Sequence, residues 1–224
     1  MSVRVMIFKR FERFWHWAQA ALIIVLLVSG FEIHGTYKLL GWEAAVNTHR
    51  TAAWSLVTLW VFAIFWHFTT GEWRQYLPTG TKLGAMVRFY AVGIFKHEPH
   101  PVRKTRYAKL NPLQRLAYLG LKLLIFPVSI TTGLLYLYFN DLDALGFGRL
   151  GLEAIALAHT FAAYVLIAFM FGHIYLTTTG ESPLSSIKAM ITGYEILDKD
   201  ADDACTEGET ESHGQRNTPG SQRA

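Results

Sequence analysis

Apolar runs and the polar breaks between them divide the chain before any single residue is considered. Four stretches, roughly 15–33, 49–70, 113–139 and 153–178, carry few charges, and each is long enough to cross a bilayer whose hydrocarbon core is about 30 Å thick. The pattern predicts an all-α fold, a four-helix up-and-down membrane bundle filling residues 1–194 as one domain. The first run follows charged residues as a signal peptide would, but it is a full span long and no small-residue cleavage site follows it, so it reads as a retained first helix. Pro127 predicts a kink in the third span. Lys122, in the cytoplasmic half of that span, is expected to snorkel or to meet an anionic group.

Charge adds an orientation. Arg4, Lys9, Arg10 and Arg13 precede the first span, and Arg74, Lys82, Arg88, Lys96, Arg103, Lys104, Arg106 and Lys109 lie between the second and third. Both segments therefore belong in the cytoplasm. The other two connections offer Lys38 and Arg149 against Glu32, Glu43, Asp141 and Asp143, and should face outward. Residues 195–224 hold eight acidic side chains against Lys199, Arg216 and Arg223, a balance of minus five within a net charge of +4, so the remainder carries plus nine. That basic excess is a topology signal and not a nucleic-acid footprint. The tail is polar and acidic, too poor in apolar residues to fold alone, and is expected to be a disordered cytoplasmic segment. Its Cys205 is the only cysteine, which excludes an internal disulfide, a four-thiolate iron–sulfur site and a C-x-x-C-H haem attachment.

The histidines then change the picture. His159 and His173 are fourteen residues apart in the most apolar span, nearly four turns, so both imidazoles share one face about 21 Å apart along the axis. Imidazoles are costly inside lipid without a partner, and haem iron is a partner that suits two of them stacked across a membrane. With the topology above, His16 lies near the cytoplasmic end of the first span at the level of His173. His49 opens the second span from the outer side at the level of His159. Two bis-histidine sites result, one per leaflet, although an interfacial histidine such as His16 or His49 is also compatible with a solvated residue. His34, His97, His100 and His213 fall in connections or the tail, with no ligand role expected. His67 is eighteen residues beyond His49, about 27 Å against about 21 Å on the partner helix, and that mismatch assigns it to the interface, near a haem propionate or quinone. Gly30, Gly133 and Gly172 remove side chains where a flat macrocycle could pack, or where helices could approach closely.

Several segments in order carry a family resemblance. Arg-Phe-Trp-His-Trp at 13–17, Val-Ser-Gly at 28–30, Thr-His-Arg at 48–50, Lys-Leu-Asn-Pro-Leu-Gln at 109–114, the His159/His173 spacing ending in His-Ile-Tyr, and Ser-Ile-Lys-Ala-Met-Ile-Thr-Gly at 186–193 are among them. Together they resemble the di-haem cytochrome b subunit of membrane-bound formate dehydrogenases. The wider group takes in thiosulfate-reductase and nickel–iron hydrogenase cytochrome b subunits and bacterial cytochrome b561. The resemblance covers residues 10–195. It implies two non-covalent b-type haems, the outer held by His49 and His159 and the inner by His16 and His173, with Arg13, Gly30 and Gly133 lining the cofactors. It also implies a quinone site on the cytoplasmic side formed by Asn111, Gln114 and His173. Amides can bond a quinone carbonyl or a quinol hydroxyl without adding charge. Asn111 is equally placed to cap a helix that starts at Pro112. The chain departs from formate-linked members in its acidic tail and in Arg50 and Thr51 after His49, where those members have a Pro-containing stretch.

No Ser/His/Asp arrangement, phosphate loop, molybdopterin or nickel site is visible in the sequence. The function expected is electron transfer in a bacterial inner membrane, between a partner at the outer face and the quinone pool. That partner would be an iron–sulfur or multihaem cytochrome subunit of a dehydrogenase or reductase, met by segments 34–48 and 139–152. A stand-alone cytochrome b561-type quinol oxidoreductase serving a small acceptor is the first alternative. A transporter or structural anchor whose histidines bind protons or a metal ion is the second.

Overall fold

The computed structural model of the protein describes residues 2–78, 82–96, 98, 101–102, 109–144, 151–178 and 184–198. Strand β1 (Ser2–Met6) leads into helix α1 (Arg10–Ile33), followed by α2 (Trp42–Thr70) and the short α3 (Leu83–Ala91). The third span is built from α4 (Pro112–Gly120), a π turn (Leu121–Ile125) and α5 (Phe126–Leu137). Next come α6 (Phe139–Ala144), α7 (Leu152–Thr177), α8 (Ser185–Thr192) and strand β2 (Tyr194–Asp198). Four of these segments, Arg10–Ile33, Trp42–Thr70, Pro112–Leu137 and Leu152–Thr177, are long and apolar enough to cross a membrane. Large apolar side chains on their outer faces, among them Phe65, Leu123, Phe161 and Phe171, are open to the surroundings. That exposure fits lipid and not water.

Helix starts differ from the hydropathic boundaries because capping and not apolarity decides them. Helix α1 begins at Arg10 and not near 15, its first turn secured by the Lys9 backbone N–H donating to Glu12 Oε2 at 2.7 Å. Helix α2 begins at Trp42 and not at 49, so Asn47 and Thr48, polar residues that read as a connection, sit in its second turn. His49 therefore lies seven residues inside α2, as His159 lies seven residues inside α7. In the third span the expected kink takes the form of the π turn directly before Phe126 and Pro127. Proline offers no N–H and its ring collides with the carbonyl four residues back, and a widened turn relieves both.

Helix α1 packs along α2, and α5 along α7, while the two pairs touch each other sparingly. Their meeting point is a layer of Ile23, Leu56, Leu121 and Phe126, joined by Trp60, Leu166 and Phe169. Leu166 is seven residues from both His159 and His173, so this layer lies midway between the two histidine levels. Trp60 rests on Phe126 with ring centres 3.9 Å apart and donates to Gln19 Oε1 at 2.9 Å.

Both ends of the bundle are tied. At the α1–α2 connection Glu32 is buried, and its Oε1 accepts the backbone N–H groups of Leu39, Leu40 and Gly41 at 2.7, 2.7 and 2.8 Å, which fixes that connection. At the opposite end Lys109 Nζ bridges Glu12 at 2.9 Å and Glu72 at 3.1 Å, and Lys9 Nζ meets Glu72 at 2.7 Å. Burial alone would raise the Glu72 carboxyl, but the two lysines outweigh it and hold the group below its ordinary value. Strand β1 pairs antiparallel with β2, from Ser2 opposite Asp198 to Met6 opposite Tyr194. Residues 195–198 are thus ordered, against the expectation of a disordered tail from 195, because β1 supplies the backbone partners that the tail lacks by itself. The remainder of the tail with Cys205 and His213, the loop basics Arg103, Lys104 and Arg106, Arg149, His97 and His100 lie outside the described residues.

Candidate functional site

Two pairs of imidazoles face each other across the seam between the helix pairs. His16 of α1 and His173 of α7 have ring centres 6.1 Å apart, and His49 of α2 and His159 of α7 have centres 6.3 Å apart. A single metal ion bonded at about 2 Å to one nitrogen of each of two opposed imidazoles puts their ring centres roughly 6 Å apart. Both pairs have that spacing.

The far nitrogens are mostly engaged. His49 Nδ1 lies 3.0 Å from Ser29 Oγ, whose own proton goes to Val25 O at 2.7 Å, so the imidazole is the donor. His159 Nδ1 lies 3.1 Å from Thr132 Oγ1 and 3.1 Å from Ser129 O. His173 Nδ1 is 3.2 Å from the Tyr118 hydroxyl. A proton held on Nδ1 leaves the Nε2 lone pair for a metal, the arrangement expected of ligating histidines. His16 Nδ1 alone of the four is buried without a partner.

Glycines set the close approaches. A Cβ on Gly30 would stand 3.4 Å from His49 Cε1, and one on Gly133 would stand 3.2 Å from His159 Cε1. The space expected for a macrocycle at Gly30 and Gly133 is therefore taken by the imidazoles themselves. Around Gly172 nothing lies within 4 Å of the added atom.

Arg13 Nη1 donates to Ile191 O at 2.6 Å, and with Trp17 Nε1 donating to Met190 O at 3.2 Å it caps the C-terminus of α8. The reason is the αL turn at Gly193, φ +90°, which presents those carbonyls to α1 and whose own oxygen takes the Ile7 and Phe8 N–H groups. His67 is buried near the end of α2. Its Nδ1 bonds Ala63 O at 2.6 Å and its Nε2 lies 3.3 Å from Tyr76 OH, because the 3-10 turn Glu72–Tyr76 folds back over the end of α2. Burial first, and the Glu12 carboxylate second, push the Tyr76 phenol well above its ordinary value, so it stays a hydroxyl and donates to His67. Lys122 meets no carboxylate among the described residues. Its Nζ lies 3.2 Å from the Tyr76 ring centre and 5.3 Å from that of Trp15, a cation held by aromatic faces.

Asn111 and Gln114 are brought together as a capping box at the start of α4. Gln114 N donates to Asn111 Oδ1 at 2.8 Å, Asn111 N donates to Gln114 Oε1 at 3.0 Å, and Asn111 Nδ2 donates to Tyr90 OH at 3.1 Å. Of the two amides, Gln114 is the one whose Nε2 makes no hydrogen bond among the described residues. Sequence reasoning missed Ser29, Ser129, Thr132 and Tyr118 as partners of the histidines. The available signal was a hydroxyl on a spanning helix at the depth of a histidine on its neighbour.

Comparison with known proteins places the chain in a wider setting. A model of the family described as prokaryotic cytochrome b561 matches residues 7–193. A protein of Escherichia coli (strain K12) described as "Putative cytochrome YdhU" is 32% identical over 199 residues, covering 85% of this chain and 74% of the relative. No solved structure matches.

Proposed function

The chain belongs to the prokaryotic cytochrome b561 family, whose members bind b-type haem, and from that premise we propose a membrane electron conduit with two haem sites. His49 and His159 hold the outer haem, and His16 and His173 the inner one. The observation that carries this reading is the ring-centre spacing of 6.1 and 6.3 Å at two depths, each the separation of imidazoles sharing one ion. Sparse contact between the α1–α2 and α5–α7 pairs supports it as well, with an apolar layer between the two histidine levels.

When bound, haem supplies one-electron chemistry, and the protein supplies position and electrostatics. Ser29, Ser129 and Thr132 hold the outer imidazoles in the Nδ1–H form. Gly30 and Gly133 admit those rings against the neighbouring helix. The apolar layer of Ile23, Leu56 and Phe126 excludes water between the two sites.

The excess of Lys and Arg before α1 and between α2 and α4 orients both termini to the cytoplasm. A redox partner then docks at the outer face, an iron–sulfur or multihaem cytochrome subunit of a dehydrogenase or reductase of the formate dehydrogenase type, against the α1–α2 and α6–α7 connections. Quinone is exchanged at the cytoplasmic side near His173, with Gln114 Nε2 as the amide that remains able to donate to it. Asn111, with all its groups engaged in capping and on Tyr90, acts through the position of Gln114.

Gln114→Ala is therefore expected to leave the reduced-minus-oxidised spectrum intact while slowing quinone turnover about 10-fold or more. Asn111→Ala is expected to cost about 1 kcal/mol of helix capping and to slow turnover less. Steady-state quinone reduction with a dithionite-reduced or partner-reduced protein measures both. Equal, unchanged rates in the two variants would remove this segment from the quinone site.

A further inference from the structure

Beside the His16–His173 pair, four further side chains converge that neither histidine pair uses. Lys122 Nζ lies 3.2 Å from the centre of the Tyr76 ring and 5.3 Å from that of Trp15. Trp15 meets the His67 ring edge-on with centres 5.2 Å apart, and His67 Nε2 lies 3.3 Å from the Tyr76 hydroxyl. Their polar demands are met unequally. Tyr76 and His67 answer each other, and Ala63 O takes the other nitrogen of His67. Trp15 Nε1 is buried with no hydrogen-bond partner, and the Lys122 ammonium touches only aromatic faces, among the described residues.

The carboxylates of this end are already committed. Glu12 and Glu72 both bond Lys109, and Glu72 bonds Lys9 as well. An ammonium without a counter-ion and an indole N–H without an acceptor are each costly where rings exclude water. Set side by side, they are answered together by one group, an anion with oxygen acceptors.

Two links tie this corner to the histidines of one pair. Trp15 immediately precedes His16 on α1. Lys122 follows Tyr118 by about one turn of the third span, and the Tyr118 hydroxyl lies 3.2 Å from His173 Nδ1. Depth then selects the anion. Lys122 stands ten residues beyond Pro112, about 15 Å into the span, so a lipid headgroup phosphate would have to descend that far. A haem between His16 and His173 brings its own carboxylates to that level.

Resting on the haem assignment above, we propose that Lys122 and Trp15 form a carboxylate site for a propionate of the haem held by His16 and His173. Lys122 Nζ is its counter-ion and Trp15 Nε1 its hydrogen-bond donor. Tyr76 is a positioning residue: its ring carries the ammonium, and its hydroxyl is anchored on His67.

Haem transfer from the full chain in mild detergent to excess apomyoglobin, followed through the cytochrome b bands, tests this without any turnover. Lys122→Met and Trp15→Phe are each expected to speed the loss of one of the two haems about 10-fold or more, the scale of one charge-assisted hydrogen bond, and to leave the other unchanged. Lys122→Arg should retain both haems. Haem dimethyl ester, whose propionates carry no charge, separates this from a packing effect. One of the two ester haems should already leave the unaltered chain quickly, and Lys122→Met should add little to that rate. The propionate bending band in resonance Raman should shift in both variants with natural haem. Should Lys122→Met fail to fold, Trp15→Phe, which keeps a ring, carries the same comparison. Wild-type loss rates in these variants, or equal acceleration with natural and esterified haem, overturn the proposal. Equal acceleration that also depends on exchanging phosphatidylglycerol for phosphatidylcholine would assign the corner to a lipid phosphate instead. A purified chain with no cytochrome b bands would defeat the haem assignment itself, whereas two retained haems indifferent to both substitutions would defeat only the carboxylate site.

Discussion

Replacing His159 with alanine is expected to remove one haem and leave the other. His159 faces His49 across 6.3 Å, so the iron there would lose half of its axial bonds, and the neighbouring His34 has its Nε2 3.3 Å from Thr160 Oγ1. The surrounding scaffold should survive. The space beside Gly133, where an added Cβ would stand 3.2 Å from His159 Cε1, is vacated, and Thr132 keeps its bond to Val128 O at 2.6 Å, so the change opens space instead of forcing the helices apart. His49→Ala should give the same spectrum by the same route. The measurement is haem content per chain with the reduced-minus-oxidised spectrum, where about half of the cytochrome b absorption should be lost in each variant. External imidazole should restore part of it, because the vacated volume is the shape of the missing ring. Full haem content in either variant would remove that residue from the ligand set.

The second large effect lies at the other leaflet. His16→Ala and His173→Ala are each expected to remove the inner haem and cut electron delivery to quinone by more than about 100-fold, while the outer site remains reducible by an artificial donor. The two differ in their neighbours. His16 Nδ1 has no partner among the described residues, so its loss is local, whereas loss of His173 also strands the Tyr118 hydroxyl and the Phe169 ring stacked on it at 5.9 Å. A larger fall in thermal stability is therefore expected for His173→Ala than for His16→Ala. Stopped-flow reduction of the protein followed by quinone reoxidation separates the steps. Undiminished reoxidation in the His16 variant would place the quinone elsewhere.

Periodicity and hydropathy were enough to read the four spans and the levels of the four histidines, because each depends on counting along a rigid helix. They were not enough for the ends. Helix α2 starts at Trp42 since a cap and a Glu32 strap organise residues 39–41, and such long-range hydrogen bonds leave no periodic trace. The burial of His67 was not legible either, because a count of rises cannot include the Glu72–Tyr76 turn that folds back to cover it. Arg13 caps α8, a contact between residues 178 apart that no local pattern announces. The ordered strand at 194–198 was hidden for a similar reason: its pairing partner is at the opposite terminus. Lys122 read as seeking an anion, but the sequence gives no hint that Tyr76 and Trp15 converge on it.

One property joins the family membership, the paired imidazoles and the proposed wire: each chain should carry two six-coordinate irons, each between two histidines. Quantifying haem against protein in the purified full chain, together with the near-infrared magnetic circular dichroism that reports axial ligands, tests it most directly. The account predicts two haems per chain, both low-spin with two imidazole ligands. A single haem per chain, or a high-spin or thioether-ligated iron, would contradict it.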